Sequence, residues 1–321
     1  MEVPSADLLL TRGISEYTML PKVLGRGKFS TVFLAAKNGH KFAIKHTALF
    51  PHHPLISTRL LREPTLLAEL PPHPNLVTVN ETIRTPGHFY LVEEYLGGYV
   101  TLEALIPLLN KLPPDQPARL PDEAAEKIFQ QLISVVNSIH SPLQICHRDI
   151  KPENILVHPV SLQLKLLDFG LATHYSRSEP KLSTCCGSPA FHCPEIVKAL
   201  ASPPGSVMYW GPEVDAWTCG ITMLRCLTGV LYPLGAQHTS LRSMAIRAQR
   251  SVGMVTNQGL REKLAKLVDM DGAKRMRYFQ EMNEEQERLL GEPRRERKEF
   301  KSTTWVGLLC NDRHRLQADA V

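Results

Sequence analysis

The chain has 321 residues, 43% hydrophobic and 21% charged, and its 37 basic and 32 acidic side chains leave a formal charge of +5. That composition excludes disorder of the whole chain and gives enough length for one large domain or two lobes with separate cores. The charge is too dilute for a nucleic-acid surface, and seven scattered cysteines are too few for a disulfide scaffold and fit free thiols in a reducing compartment.

Residues 1–17 carry little pattern and read as a lead-in; the early apolar run Leu8-Leu9-Leu10 is too short for a signal-peptide core. Residues 18–95 read as short strands separated by turns. A strand is predicted over 31–35. Asn38-Gly39 is a hairpin signal because both residues tolerate positive φ, and 41–45 is the returning strand. Another strand is predicted over 89–92. Beyond Tyr95 the pattern turns helical, with Gly97-Gly98 as the break and a proline-rich surface loop expected from Pro107 to Pro121. Pro121-Asp122-Glu123 opens a helix, its acids beside the positive end, and Ile128, Leu132, Val135, Val136 and Ile139 recur at helical spacing. Further buried helices are predicted over 213–228, stopped by Gly229, and over 260–268. A β-rich front and an α-rich back predict an α+β fold of two lobes, 18–95 and 96–280. Residues 281–321 read as a charged tail, either a solvated helix or a loose segment; 281–301 hold seven Glu and six Lys or Arg. No apolar run approaches the roughly 18 residues of a membrane helix. The expected location is cytoplasmic, nuclear or both, with no nucleic-acid partner and no transmembrane segment.

Two groups of residues carry chemistry. Gly25-Arg26-Gly27-Lys28-Phe29-Ser30 lies between two predicted strands, and glycine lets backbone N–H groups approach phosphate oxygens. By itself this is also compatible with an ordinary turn. A strand ending in Lys45 follows, where a dinucleotide fold would want a helix. The stronger signal is His147-Arg148-Asp149, then Lys151 and Asn154, then Asp168-Phe169-Gly170. Asp149 can accept a proton from a hydroxyl. Asn154 and Asp168 offer hard oxygen ligands suited to Mg²⁺, and Lys151 can neutralise charge on a moving phosphoryl group.

With these motifs the sequence resembles the eukaryotic protein kinase family, serine/threonine type, from about Leu24 to Arg275. The resemblance implies a small β-rich N-lobe and a larger helical C-lobe, ATP and Mg²⁺ as cofactors, and Ser/Thr hydroxyls of proteins as acceptors. It places Leu24, Gly25, Gly27, Val32, Ala43 and Lys45 around ATP, with the backbones of Glu94 and Leu96 on the adenine. Ser30 stands where a third glycine is common. Lys45 would hold the α and β phosphates. Glu63, 18 residues on, would pair with it, although Pro64 directly after it implies a late or kinked helix, with Glu69 as the fallback partner. In the catalytic loop, Asp149 and Lys151 would act on the acceptor and the transferred group, and Asn154 and Asp168 would bind metal. Lys-Pro-Glu after Ile150 fits serine/threonine rather than tyrosine kinases. Gly187-Ser188-Pro189-Ala190-Phe191 resembles the segment that positions the acceptor, with Ser188 on Asp149 and Lys151. Cys193-Pro194-Glu195 implies a Glu195–Arg275 pair, and Asp215 is expected to brace the catalytic loop.

The stretch 183–189 is similar to the calcium/calmodulin-dependent and AMP-activated group. That likeness makes Thr184 a phosphorylation site for an upstream kinase and Arg148 the clamp for its phosphate. Glu93 falls at the position behind the adenine where relatives are apolar. It either competes with Glu63 for Lys45 or turns outward through a strand shift. Tyr99 and Arg225 stand where kinases that select upstream arginines carry acids, leaving Glu153, so no strongly basic substrate motif is expected. The cluster Arg294-Arg295-Glu296-Arg297-Lys298 is consistent with a nuclear signal, a lipid-facing patch or a solvated tail. Its interspersed acids disfavour a calmodulin-binding helix. Competing readings are a pseudokinase scaffold that binds nucleotide without efficient transfer, and a small-molecule kinase.

Overall fold

In the computed structural model, alternation along five strands builds the first layer: β1 (Thr18–Arg26), β2 (Ser30–Lys37), β3 (His40–Ala48), β4 (Val79–Thr85) and β5 (His88–Glu94). The structure describes residues 14–27, 30–49, 62–85, 87–110, 112–113, 115–141, 143–176, 178, 182–230 and 240–291. The strands form one antiparallel sheet in the order β1-β2-β3-β5-β4. Asn38 and Gly39, at φ 54° and 79°, make the two-residue hairpin turn that the sequence signals.

Side chains alternate across the pleat. Phe33, Ala35, Ile44, Tyr90 and Val92 pack with Ile14 and Tyr17 on one face. Phe89 and Leu91 join the main core on the other face, together with Leu66 and Leu67 of α1 (Arg62–Glu69). Lys45, next to Ile44 and opposite Leu91 in the ladder, therefore points toward α1. Pro64 is the third described residue of α1; at a helix start such an N–H has no intrahelical acceptor. Residues 50–61, through which an earlier start would run, lie outside the described residues.

The second layer is helical. β6 (Val100–Thr101) leads into α2 (Leu102–Leu109), whose Ala104 N–H is capped by Thr101 Oγ1 at 3.2 Å. The proline-rich loop thus begins after Leu109, not at Pro107 as expected. Leu102, Leu105, Ile106 and Leu109 are buried on one side of α2, and that packing outweighs the hydrogen bond lost at Pro107. Next comes α3 (Asp122–His140), buried along the predicted apolar stripe. Short strands β7 (Ile145–Cys146), β8 (Ile155–Val157), β9 (Leu164–Leu166) and β10 (Thr173–His174) then form two small sheets, β10-β7 and β6-β8-β9.

The remaining helices are α4 (Pro194–Leu200), α5 (Gly211–Thr228), α6 (Leu241–Gly253), α7 (Gln258–Leu267) and α8 (Gly272–Gly291). α5 is buried nearly all round and forms the axis of the lobe. Gly229 caps it at φ 70°, a left-handed conformation that favours glycine. α8 runs unbroken past the predicted boundary at residue 280, because Phe279 is fully buried and Met276 and Met282 pack on the core at helical spacing. The charged stretch is therefore helix as far as Gly291. The basic cluster at 294–298 lies outside the described residues. The chain is a bilobal α+β fold, and among the described residues no helix is long and apolar enough to cross a membrane.

Candidate active site

The cleft between the lobes collects the chemistry-bearing side chains from both layers. Lys45 Nζ, on β3, lies 2.7 and 2.8 Å from the two carboxylate oxygens of Glu63 on α1. It also lies 2.9 Å from Asp168 Oδ1, after β9. Burial alone would discharge this lysine; the Glu63 and Asp168 carboxylates more than offset that and raise its pKa. The reciprocal balance holds Asp168 below its ordinary value: burial opposes its charge and Lys45 outweighs burial. Asp168 sits in the left-handed region at φ 61°, a strained conformation for a non-glycine residue. The residue after it, Phe169, is 1% exposed and meets the His147 ring edge-on at 4.8 Å. His147 Nε2 donates to the Leu167 carbonyl at 2.9 Å.

Below this, the catalytic loop is hung on one buried carboxylate. Asp215 on α5 accepts hydrogen bonds from the backbone N–H of His147 and of Arg148, each at 2.7 Å, and from His140 Nε2 at 2.8 Å. Complete burial works against its charge, but His140 and the backbone donors hold its pKa below the usual value. Asp149, so presented, is enclosed by donors. Its Oδ1 accepts from Ser188 N at 3.0 Å and Ser188 Oγ at 2.9 Å. Its Oδ2 lies 2.9 Å from Lys151 Nζ and 3.0 Å from Asn154 Nδ2. Lys151 Nζ also donates to Ser188 Oγ at 2.7 Å. Gly187 makes this approach possible: it sits at φ 92°, and a Cβ there would come within 2.8 Å of the Arg148 carbonyl oxygen.

The donor set fits a hard cation shared with phosphates. Asn154 gives its amide hydrogens to the Asp149 carbonyl, at 2.8 Å, and to Asp149 Oδ2. This fixes the amide and leaves its carbonyl oxygen available to a cation. Asp168 commits Oδ1 to Lys45 and retains Oδ2. Among the described residues no three His, Cys, Asp or Glu side chains cluster to hold a metal by themselves.

On the roof of the cleft, the Gly27 N–H donates to the Ser30 carbonyl at 2.8 Å and closes the turn; Lys28 and Phe29 lie outside the described residues. Gly25 pairs with Val32, Val32 with Lys45 and Ala43 with Glu93. The sheet thus carries Gly25, Val32 and Ala43 on the face of Lys45, while Leu24 falls in the irregular stretch between Val23 and Gly25. At the back, Glu94 N–H is committed to the Thr78 carbonyl at 2.9 Å, so any backbone bond from Glu94 to an adenine comes from its own carbonyl. The Leu96 carbonyl accepts from Tyr99 N at 3.2 Å.

Several partners were not legible in the sequence. Glu94 Oε1 accepts from Lys165 Nζ at 2.6 Å and from Thr78 N at 2.8 Å. These donors outweigh burial and keep its pKa low. Glu69 does not reach Lys45 and instead lies 2.8 Å from His174. Arg225 is occupied by an ion pair with Glu103. Glu93 turns inward rather than outward, because its place in the pleat matches Leu91. The residue is half-buried, with its carboxyl in the cleft beside Lys45. Burial pushes its pKa up to about 8, Lys45 opposes the rise, and the Glu63 and Asp168 charges reinforce it.

Further out, Thr184 is exposed and its carbonyl accepts from Tyr209 Oη at 2.7 Å. Arg148, at φ 68°, donates from Nε to the Leu171 carbonyl at 2.8 Å and from Nη1 to Tyr209 Oη at 3.3 Å. Tyr209 is therefore the residue between Thr184 and Arg148, which no motif signalled. Glu195 Oε2 meets Arg275 Nη2 at 2.7 Å. Arg275 is fully buried, donates from Nη1 to the Asp269 carbonyl at 2.6 Å, and lies 5.3 Å from the Trp217 ring centroid. Glu213 beside this pair is raised to about 7, by burial first and by the Glu195 charge second.

This geometry accompanies similarity over most of the sequence. The family model described as "Protein kinase domain" matches residues 19–291. CBL-interacting protein kinase 4 of Oryza sativa subsp. japonica is 31% identical over 256 residues, covering 78% of this chain and 53% of the relative. Serine/threonine-protein kinase ppk25 of Schizosaccharomyces pombe is 34% identical over 213 residues, covering 66% of this chain and 46% of the relative. Sucrose non-fermenting protein kinase 1 of Fusarium virguliforme is 34% identical over 231 residues, covering 70% and 29% respectively. The chain thus spans about half the length of these relatives or less. A match of that extent, on a bilobal frame that brings Lys45, Glu63, Asp149, Asn154 and Asp168 into one cleft, places the chain in the protein kinase domain family.

Proposed function

We propose that this chain is a serine/threonine protein kinase that transfers the γ-phosphoryl group of ATP, bound with Mg²⁺, to Ser or Thr hydroxyls of protein substrates. The observation that carries the reading is the Asp149 carboxylate, fixed by Ser188, Lys151 and Asn154 across from a closed Lys45–Glu63 pair. Catalysis in such a site comes from positioning and charge stabilisation. Gly25 and Gly27 cover the phosphates. Lys45, braced by Glu63, holds them, while Leu24, Val32 and Ala43 and the backbones of Glu94 and Leu96 hold the adenosine. Asn154 and Asp168 hold Mg²⁺, which when bound neutralises phosphate charge. Asp149 orients the acceptor hydroxyl and takes its proton. Lys151 balances charge on the transferred group.

Phosphorylation of Thr184 by an upstream kinase raises activity in this reading, with Arg148 and Tyr209 as the groups closest to its backbone contact. Substrates lack a strongly basic upstream motif, since Arg225 is neutralised by Glu103 and only Glu153 remains to attract a cation. The proposed location is the cytoplasm, the nucleus or both.

The test is transfer from radiolabelled ATP to a peptide library by purified protein with Mg²⁺. Labelled Ser or Thr peptides are the expected result. Asp149→Asn is expected to lower kcat by at least about 100-fold, as loss of a general base does, at unchanged nucleotide affinity. Nucleotide binding without transfer by the wild type would favour the scaffold reading instead.

A further inference from the structure

Glu69 is the last residue of α1. Unsatisfied carbonyls make that end of a helix negative, so a carboxylate there is unfavourable unless a cation or donor answers it. α1 has no basic residue in its last turn. The answering group comes from elsewhere: His174 Nε2 lies 2.8 Å from Glu69 Oε2. An ionised carboxylate only accepts, so Nε2 carries the proton of this bond.

His174 is not a loose partner. It ends β10, where it stands opposite Ile145 in the ladder with β7, and Ile145-Cys146 runs directly into His147-Arg148-Asp149. The next residue is anchored as well: Tyr175 N donates to the Gln144 carbonyl and Tyr175 Oη to the His140 carbonyl, both at 2.8 Å. Glu69 is therefore tied to a strand whose partner is the stem of the catalytic loop.

α1 depends on such ties. Its described part, Arg62–Glu69, is eight residues with Pro64 near its start, and a helix of this kind draws its stability from tertiary contacts rather than from itself. Its first turn is fixed by Glu63 on Lys45 and its inner face by Leu66 and Leu67. We infer that the Glu69–His174 hydrogen bond is a second latch on α1, one that makes the placement of Glu63 against Lys45 conditional on the order of the segment just after Asp168-Phe169-Gly170. Glu69 and His174 are positioning residues. They act on the nucleotide through α1, Glu63 and Lys45. The inference rests on the reading of this cleft as the ATP site.

The test compares His174→Ala, Glu69→Gln, the double variant and His174→Arg with the wild type. Each is assayed for KM of ATP, KM of a peptide acceptor, thermal midpoint, and Kd for a fluorescent trinitrophenyl-ATP probe. Both groups are half-exposed, so each single variant should raise KM of ATP and probe Kd about two- to five-fold, the range open to such a pair. The peptide KM should stay constant. The double variant should be no worse than either single one, because one contact is lost in all three. His174→Arg should restore wild-type values, since a guanidinium keeps the donor to the carboxylate. Additive losses, an arginine variant as weak as the alanine one, or a lowered thermal midpoint at unchanged ATP affinity would overturn the latch. Probe binding by a wild type that transfers no phosphate would instead defeat the kinase reading, and the probe Kd series would still judge the latch.

Discussion

Glu93 gives the cleft a pH signature that can be read from stability alone. In the unfolded chain its carboxyl ionises near the reference value of 4.5; in the folded protein it does so at about 8. Between these values the folded state holds a proton that the unfolded state has released, so stability falls as pH rises. The contribution is fully present below pH 4.5 and is lost as pH climbs through 8. The gap sets an upper bound of about 5 kcal/mol over the whole window, lost at no more than about 1.4 kcal/mol per pH unit and reduced by solvent screening at this half-buried residue. Glu93→Gln keeps the shape and polarity of the neutral acid but cannot ionise. Urea unfolding of both proteins at intervals from pH 5 to 9 isolates the effect, because the titrations of the other groups cancel in the difference. The variant should gain on the wild type with every step upward in pH and level off above pH 8. Parallel stability profiles would refute the reasoning, since they would mean that Glu93 ionises freely and is not facing the cleft.

Two further outcomes concern side chains of the larger lobe, one buried and one exposed. Arg275→Leu leaves the Glu195 carboxylate beside the Glu213 acid without a cation, and should cost about 3–5 kcal/mol in chemical denaturation, as breaking a buried pair does. Thr184→Ala should lower by at least about ten-fold the activity reached after treatment with an upstream kinase, the equivalent of one charge-assisted hydrogen bond to Arg148. Kinase assays with and without that treatment check it, and equal activities would remove Thr184 from regulation.

The sequence was most legible where chemistry imposes both residue type and spacing. Asp149, Lys151 and Asn154 lie within six positions, and one loop brings them together in the structure. Strands and α3 were legible from periodicity, because α3 buries one apolar stripe, whereas α5, buried nearly all round, was marked by its Gly229 stop. Legibility fell where packing overrode local preference. Pro107 reads as a breaker, yet α2 continues through it because Leu105, Ile106 and Leu109 are buried. The partners of Glu69, Glu94 and Arg225 were invisible for a different reason. His174, Lys165 and Glu103 lie 105, 71 and 122 positions away from them along the chain, and no period or motif links side chains across such distances. Glu93 was legible as an oddity but not in its orientation, which only the pairing with Ala43 and Val79 decides.

These cases share a physical cause. The hydrophobic core fixes where helices lie to within a side chain, but the reacting groups need tighter placement than apolar packing alone provides. In this chain that placement is done by a few buried polar residues, each serving more than one backbone segment. Asp215 holds two successive N–H groups of the catalytic loop and the end of α3. Arg275 ties α4 to the carbonyl of Asp269 and to α5. Tyr209 joins the carbonyl of Thr184 to Arg148. A buried polar group is costly when only part of its hydrogen bonding is met and specific when all of it is; Asp215 is met by three donors, while Arg275 leaves Nε without a partner among the described residues. Shortening Asp215 therefore releases the catalytic loop and the end of α3 at once. It would move Asp149 relative to Ser188 and Lys151 before it emptied the core, so at that residue loss of transfer should precede loss of fold.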